Sequence, residues 1–274
     1  MRIPRLFGLH AEPGGRLSLL LAVTPFAMLL LVYLFFSHRM LAENPDAKLL
    51  PSAGHMASSM TKLALEEDER TGHYILWHDT KVSLARLGAG IILAAIIGLL
   101  LGINMAMFPG LDGFLKSFIT FLSIIPPLAI LPVLFIAFGV DEAAKVILIF
   151  IGSVFVISRD IYLATAALPS EQVTKALSLG ASQLGVVYRV ILPQIMPRIF
   201  DTTRLTLGAA WLFLIASEAI ASTEGLGYRI YLMRRYMAMD VILPYVLWIT
   251  LIGYTLDLFL RMWVRFRYPW YSKQ

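Results

Sequence analysis

The chain has 274 residues, of which 58% are hydrophobic and 15% are charged, and its formal net charge is +5. A soluble domain carries about 25% charged residues, so this composition excludes an ordinary water-soluble globule and indicates a protein embedded in lipid. The chain contains no cysteine, which excludes disulfides, thiolate metal sites and a cysteine nucleophile. The basic residues form no single solvated patch, so nucleic acid is not an expected partner.

The first predicted span covers residues 17–37, which contain no charge. A helix needs about 20 apolar residues to cross the hydrocarbon core. Residues 1–16 precede it as a short N-terminal segment. A secretory signal peptide is the alternative for this region, but the apolar stretch is too long and no clear cleavage site follows it. Residues 38–82 form the one long polar region, with an acidic run at residues 66–69, and predict an aqueous loop with a short helix through residues 56–65.

Five further spans are predicted within residues 83–268, which form the core domain, at residues 87–107, 117–139, 143–164, 199–222 and 241–260. The third span of the chain is interrupted by Pro126, Pro127 and Pro132, each of which removes a backbone donor. Such breaks survive in lipid where protein or a water-filled cavity satisfies the freed carbonyls, so this span is expected to face inward. A polar loop, residues 169–197, separates the fourth and fifth spans.

Six spans place both termini on the same side of the membrane. With the amino terminus inside, the inner segments carry an excess of Lys and Arg, whereas the outer segments are close to neutral. The positive-inside rule therefore places both termini in the cytoplasm, together with the loop at 169–197 and the tail at 269–274. Residues 38–82 are then periplasmic. The predicted fold class is all-α, a polytopic membrane helical bundle.

No enzymatic site is indicated. The chain lacks a G-x-x-x-x-G-K-[ST] phosphate loop, and residues 225–230 fail the G-x-G-x-x-G pattern at its last position. The five histidines lie outside the predicted spans without ligand spacing. His73, His78 and Asp79 are therefore expected to be solvated loop residues rather than a metal site. We expect neither an ATPase activity nor a cofactor in this chain.

The second span carries a small residue at every fourth position, namely Gly90, Ala94, Gly98, Gly102 and Ala106. On a helix with 3.6 residues per turn, this spacing makes a groove into which another helix backbone can approach closely. The pattern favours packing within the chain, and contact between two copies is the alternative.

Charge inside the membrane is costly and usually functional, and Glu218 and Asp257 are two carboxylates that lie inside predicted spans. Asp257 has a local partner in Arg261, one turn later. Glu218 has no local cation in its own span, so three roles stay open for it. It lines a polar pathway, pairs with another helix or lies at the outer headgroups.

The loop between the fourth and fifth spans predicts a short helix. Ser170 is expected to cap it, and Glu171 suits the positive end of its dipole. Apolar positions recur with helical spacing from Val173 to Leu184, and Gly180 is expected to end or kink the helix. A short amphipathic helix between two spans needs a cover for its apolar face. That cover is either its own bundle or a partner protein.

This loop resembles the cytoplasmic signature of the permease subunits of ATP-binding-cassette importers, which reads E-A-A, three residues, Gly, nine residues and I-x-L-P. Ala176, Gly180, Leu192 and Pro193 match at the required spacing, and Val190 replaces isoleucine. Thr174 and Lys175 depart from Glu-Ala, and Glu171 does not occupy the position of the motif's glutamate. Segments from about residue 77 onward resemble the nitrate/sulfonate/bicarbonate (taurine-type) branch, at residues 83–86, 125–129, 138–139, 210–211, 217–218, 225–228 and 257.

The resemblance implies the type I importer permease fold and a coupling helix that docks on a separate ATPase. The residues expected to couple the two proteins are Glu171, Thr174, Lys175, Ala176, Gly180, Ala181, Leu192 and Pro193. The resemblance also implies a bacterial inner-membrane assembly of two permease chains as a homodimer and two ABC ATPase subunits. The ATPases bind the ATP, and a periplasmic solute-binding protein delivers the cargo.

Broken helices and intramembrane charge belong beside water, so the translocation pathway is predicted at Pro126, Pro127, Pro132, Ala210, Trp211 and Glu218. The outer gate is expected at Gly225, Gly227 and Tyr228. The implied cargo is a small polar solute of the nitrate, sulfonate, taurine or bicarbonate class. Residues 68–80 and 233–240 resemble a sub-branch linked to urea- or guanidine-type solutes.

Two other functions remain open from the sequence. An ion-coupled secondary carrier would use Glu218 and Asp257 as titrating carboxylates, although no inverted repeat is visible in the sequence. A purely structural membrane protein would explain the spans and the groove but would leave the loop helix without a purpose.

Overall fold

The computed structural model describes residues 14–44, 48–69 and 71–271. Within these ranges the chain forms helices and no strand. The helices are α1 (Gly15–Glu43), α2 (Ala53–Leu65), α3 (Ile75–Met107), α4 (Pro109–Ile124), α5 (Leu131–Phe138), α6 (Glu142–Ala166), α7 (Ser170–Ser178), α8 (Gln183–Val186), α9 (Leu192–Ala221), α10 (Leu226–Arg235) and α11 (Met239–Arg267). A 3-10 turn, Pro127–Ile130, joins α4 to α5, and a π-helical segment, Val187–Ile191, joins α8 to α9.

The apolar helices match the predicted spans in number and order. Within the described ranges, five helices are long and apolar enough to cross a membrane, and there are six if the bent pair α4 and α5 counts as one span. Helix α1 continues to Glu43 and α3 begins at Ile75, so both helices extend into the region 38–82 that was predicted as a loop. The first turns of α3 contain polar side chains, among them Asp79 and Thr80, that are buried against protein, which a hydropathy pattern does not show. Residues 1–13 and 272–274 of the predicted terminal segments lie outside the described residues.

The third span is bent at its prolines. The chain direction changes by 83° between Pro109–Ile124 and Pro127–Phe138. This segment, which was expected to face inward, lies at the surface of the single chain. Its large apolar side chains lie on the surface of the single chain, with Phe114 78%, Ile124 73% and Ile136 87% exposed. The neighbouring helices α3 and α6 pack tightly on each other and leave no room between them for this segment.

Helices α3 and α6 form the centre of the bundle. The small-residue groove of α3 receives a row of isoleucines from α6. A Cβ atom added to Gly90, Gly98 or Gly102 would lie 2.7 Å from Ile149, Ile157 or Ile161, respectively. Ala94 is fully buried in the same seam, and Ala106 is half-buried at its end. The groove therefore packs within the chain, as its spacing predicts, because two backbones approach only where side chains are small.

Two apolar clusters stabilise the two ends of this bundle. One lies near α10 and includes Leu76, Leu148, Leu214 and Tyr245. The other lies near α7 and includes Ile103, Ile161, Val187 and Ile195. Helices α3, α6 and α9 contribute to both clusters, so they connect the two ends at which the polar residues gather.

Candidate functional site

The short loop helix α7 ends in a Schellman turn. Gly180 has a φ of +87°, its N–H donates to the carbonyl of Leu177 at 2.9 Å, and the N–H of Ala181 donates to that of Ala176 at 3.1 Å. These two bonds are the 5→2 and 6→1 bonds of the motif, which needs a left-handed residue at the glycine position. The prediction that Gly180 ends the helix is confirmed. The predicted cap is wrong, because Ser170 is already helical and follows Pro169, whose side chain has no donor or acceptor.

The apolar side chains of this region have different surroundings. Val173 and Ala176 pack against the apolar cluster near α7, so the bundle covers one face of the helix. Leu177, one turn after Val173 on the same face, is 42% exposed, and Leu179 and Leu184, which follow α7, are 81% and 61% exposed, so these apolar side chains are open in the single chain. Contiguous exposed apolar side chains are typical of a surface that contacts another protein.

Most of the predicted coupling residues are exposed on this surface, and the others are half-buried. Glu171, Thr174, Lys175, Gly180 and Ala181 are exposed around α7. Ala176 is half-buried beneath them. Leu192 and Pro193 lie in the first turn of α9, where Leu192 is half-buried and Pro193 is exposed.

At the opposite end of the bundle, a buried ion pair joins α3 to α9. Glu218 is fully buried and accepts hydrogen bonds from Arg86 Nη1, Ser83 Oγ and the N–H of Gly227, each at 2.8 Å. Arg86 Nη2 also donates to Glu142 Oε1 at 2.6 Å, and its Nε donates to Oε2 of the same carboxylate. A buried carboxylate in this setting needs a cation and further donors, and this one has both.

These contacts decide between the three roles left open for Glu218. Pairing with another helix is the role that the structure shows. The assignment of Glu218 to the pathway is wrong for the single chain, because protein encloses the carboxylate on every side. The assignment of Ala210 and Trp211 to the pathway is wrong for the single chain as well. Their side chains are 0% and 8% exposed within the cluster near α10.

Asp79 was expected to be a solvated loop residue, and this expectation is wrong. It is fully buried in α3 and accepts from Arg229 Nε at 2.9 Å, the N–H of Gly225 at 3.0 Å and Tyr245 Oη at 3.3 Å. Asp79, Ser83 and Arg86 have i, i+4, i+7 spacing, which places them on one face of a helix. That spacing was visible in the sequence and could have identified the buried polar face.

The turn before α10 is fixed rather than mobile. Gly225 has a φ of +113°, and a Cβ atom there would lie 2.6 Å from the carboxyl carbon of Glu218. The successive N–H groups of Gly225, Leu226 and Gly227 donate to Asp79, Ser83 and Glu218. The two glycines predicted as an outer gate therefore lie in a closely packed turn, because a Cβ atom at Gly225 would meet the carboxylate of Glu218 and one at Gly227 would meet the backbone of Ile215.

A cleft of about 650 Å³ opens beside this turn, and Tyr228 lines it together with polar residues of the α2–α3 connection. His78 Nε2 lies 2.7 Å from Glu224 Oε2, and the ring of His73 stacks on His78 with centroids 5.0 Å apart. In the part of the chain that the structure describes, no three His, Asp or Glu side chains are placed to hold a metal ion.

The remaining pathway and span residues lie as follows. Pro126 and Pro132 are exposed and Pro127 is half-buried, all three at the bend of the third span. Asp257 pairs with Arg261 at 3.1 Å, as expected, and also with Arg204 at 3.5 Å. Both carboxylates on which a secondary carrier would depend are therefore already paired with arginines.

Residues 90–273 match the family of binding-protein-dependent transport system inner membrane components. The chain belongs to this family. It is 33% identical over 198 residues to a taurine transport system permease protein of Escherichia coli K12, with 72% of each chain covered. It is 32% identical over 255 residues to a bicarbonate transport system permease protein of Synechococcus elongatus, covering 81% of this chain and 91% of that protein.

The fold agrees with this membership. An inward-facing structure of the MetNI methionine ABC transporter superimposes with a TM-score of 0.62 at 18% identity, covering 72% of this chain and 98% of the other. The predicted all-helical ABC importer permease fold is therefore confirmed. The family and the apolar helices together identify a multi-pass inner-membrane transport component.

Proposed function

We propose that this permease couples the import of a small anionic or zwitterionic solute to ATP hydrolysis by a separate ATPase subunit. The observation that carries the proposal is the exposed apolar surface formed by Leu177, Leu179 and Leu184 around a Schellman turn. This surface lies at the position of the family's cytoplasmic signature, where the resemblance implies contact with the ATPase. The complete importer contains two copies of this permease, two ATPases that bind ATP and a periplasmic solute-binding protein. Both termini of the permease lie in the cytoplasm.

The connection from α7 into the membrane supports a mechanical role. Residues Gln183–Ala221 form a continuous helical path of 39 residues through α8, the π segment and α9. When ATP draws the two ATPases together, a docked α7 moves with them and α9 transmits the movement to the far side of the bundle. The protein thereby alternates between inward and outward access. ATP shifts this equilibrium only by the difference in its affinity for the two arrangements.

The substrate class follows from the relatives. The names of these relatives specify taurine, aliphatic sulfonates and bicarbonate, which share a small oxyanion group. We propose a cargo of this class for the present chain. A urea- or guanidine-type solute is the alternative, and uptake of the neutral or cationic solute in place of taurine would favour it. In either case the solute-binding protein selects the cargo before it reaches the permease.

Replacement of Gly180 by valine tests the coupling. The left-handed backbone at Gly180 strains a β-branched residue by about 1–3 kcal/mol, although nothing lies within 4 Å of the added Cβ atom. We expect Gly180→Val to lower ATP-driven taurine uptake into proteoliposomes containing the ATPase and binding protein by about tenfold or more. Gly72→Val is the matched control, because Gly72 also has a positive φ and open space around it but lies between α2 and α3.

Equal uptake by the two glycine variants would remove the loop from the mechanism. Cross-linking provides a second measurement, because the chain has no cysteine and a single introduced thiol reacts alone. We expect a bifunctional reagent on Leu179→Cys to capture the ATPase and the same reagent on Leu65→Cys, which is 70% exposed at the end of α2, to capture none. Uptake driven by an ion gradient without ATP would instead favour the secondary carrier.

A further inference from the structure

A small polar cleft lies between α4 and α6, in the half of the bundle nearest α7. Its volume is about 270 Å³. The polar residues that line it are Lys116, Thr120 and Ser123 from α4 and Ser158, Arg159 and Tyr162 from α6. Neither the coupling surface nor the buried ion pair at the other end includes any of them.

Arg159 of this cleft lies inside the predicted fourth span, and Lys116 lies in α4, one residue before the predicted third span. Lys116 is seven residues after the start of α4 at Pro109, and Arg159 is seven residues before the end of α6 at Ala166. At a rise of 1.5 Å per residue, each is about 10 Å from its helix end. A charged side chain inside a span, such as that of Arg159, is costly, so it is normally paired or faces a water-filled cavity that serves a function.

The cleft has an excess of positive charge. Lys116 pairs with Asp112 at 3.5 Å and donates to Tyr162 Oη at 3.0 Å. The guanidinium of Arg159 has no hydrogen bond or ion pair within residues 14–44, 48–69 and 71–271. The adjacent Asp160 does not neutralise it, because Asp160 pairs with Arg198 at 2.5 Å. Arg86 and Glu218 at the other end of the bundle are paired, which sets Arg159 apart.

We propose that Lys116 and Arg159, with the hydroxyls of Thr120, Ser123 and Tyr162, bind the oxyanion group of the solute on its way through the membrane. This inference rests on the proposed function. A guanidinium binds carboxylate and sulfonate oxygens in a bidentate manner, and an ammonium adds a point charge. The hydroxyls of Thr120 and Ser123 now donate to carbonyls of α4, each at 2.7 Å, and they rotate to meet a bound oxygen.

The bend of the third span gives the solute a route to this cleft. Ser123 is three residues before Pro126, where the helix breaks and its carbonyls lose their regular donors. Exposed Pro126 and Pro132 continue the same surface. The predicted pathway prolines and the cationic cleft therefore lie along one strip of α4, α5 and α6, which also exposes apolar side chains such as Ile124. This strip replaces the buried α9 residues as the place where solute meets the permease.

The charge of the cleft is measured with a thiol introduced at Ser123. In the complete importer, reconstituted in vesicles of pure phosphatidylcholine, the Ser123→Cys permease is labelled with negatively and positively charged methanethiosulfonates of similar size. We expect the negative reagent to react faster, and Arg159→Gln to lower the ratio of the two rate constants by about tenfold. Arg159→Lys should keep the ratio, and Arg189→Gln, a basic residue outside the cleft lining, should leave it unchanged.

Protection distinguishes the two sources of an oxyanion, the solute and a lipid headgroup. We expect taurine and bicarbonate to slow labelling of Ser123→Cys, and urea to have no effect. Protection by added phosphatidylglycerol, with none by either solute, would overturn the proposal in favour of a lipid site. Equal labelling rates for the two reagents, unchanged by Arg159→Gln, would overturn it outright. Labelling requires no ATP-driven uptake, so its outcome is independent of the Gly180→Val test.

Discussion

Removal of the Arg86 side chain should destabilise the permease strongly, because it leaves the buried carboxylate of Glu218 without its cation. In Arg86→Ala the Glu218 carboxylate stays fully buried, with only the neutral donors Ser83 and Gly227. An uncompensated buried charge of this kind costs about 3–5 kcal/mol. Glu142 adds little, since its side chain is 59% exposed and water replaces the lost partner at a cost of about 0–1 kcal/mol.

The measurement is thermal unfolding of the purified permease in detergent. At about 2–4 °C per kcal/mol, we expect the Tm of Arg86→Ala to fall by roughly 10 °C. Arg39→Ala is the matched control, because it removes an arginine from a pair with Glu43 whose side chains are 69% and 72% exposed. Adding Glu218→Gln to Arg86→Ala removes the stranded charge and should restore much of the loss. A Tm within about 2 °C of the wild type, or no recovery in the double variant, would refute the reasoning.

Two glycine substitutions test the close helix contacts by the same measurement. Gly98→Ala places a Cβ atom 2.7 Å from Ile157, so we expect α3 and α6 to separate at a cost of about 1–3 kcal/mol. Gly225→Ala adds backbone strain to a 2.6 Å contact with Glu218, and it should lower the Tm more than Gly98→Ala. Gly88→Ala is the control for both, because nothing lies within 4 Å and alanine favours a helix by up to about 1 kcal/mol. A Tm for either variant as high as that of Gly88→Ala would contradict the packing argument.

The features predicted from the sequence are those that neighbouring residues determine. Apolar runs fix where spans lie, a small residue at every fourth position fixes a helix seam, and a glycine after a short helix fixes its end. Each of these depends on contacts within a few turns of one helix. Helix α3 starts before the predicted span because its first turns bury polar side chains such as Asp79, and burial against distant partners is not a property of the local sequence.

The partners of the buried charges could not be read in this way. Glu218 and Arg86 are 132 residues apart in the chain, and their contact exists only because α3 and α9 lie side by side. The sequence did indicate that Asp79, Ser83 and Arg86 share one face of a helix, since they repeat with helical spacing. Recognising that face as buried requires knowing that the turn at Gly225 supplies the N–H groups that satisfy it.

In the proposed importer, the α10 end and the α7 end of the bundle have different roles. At the α10 end, Glu218, Arg86 and Asp79 tie α3, α9 and α10 into one body through bonds that are costly to break. Movement received at α7 must therefore shift this body as a whole rather than deform it. The α4–α5 segment shares few buried residues with that body, so relative motion is least costly between them. The cationic cleft has Lys116 on α4 and Arg159 on α6, one on each side of that boundary. A shift there changes the separation of the two charges, which gives the bound oxyanion a different affinity in each arrangement.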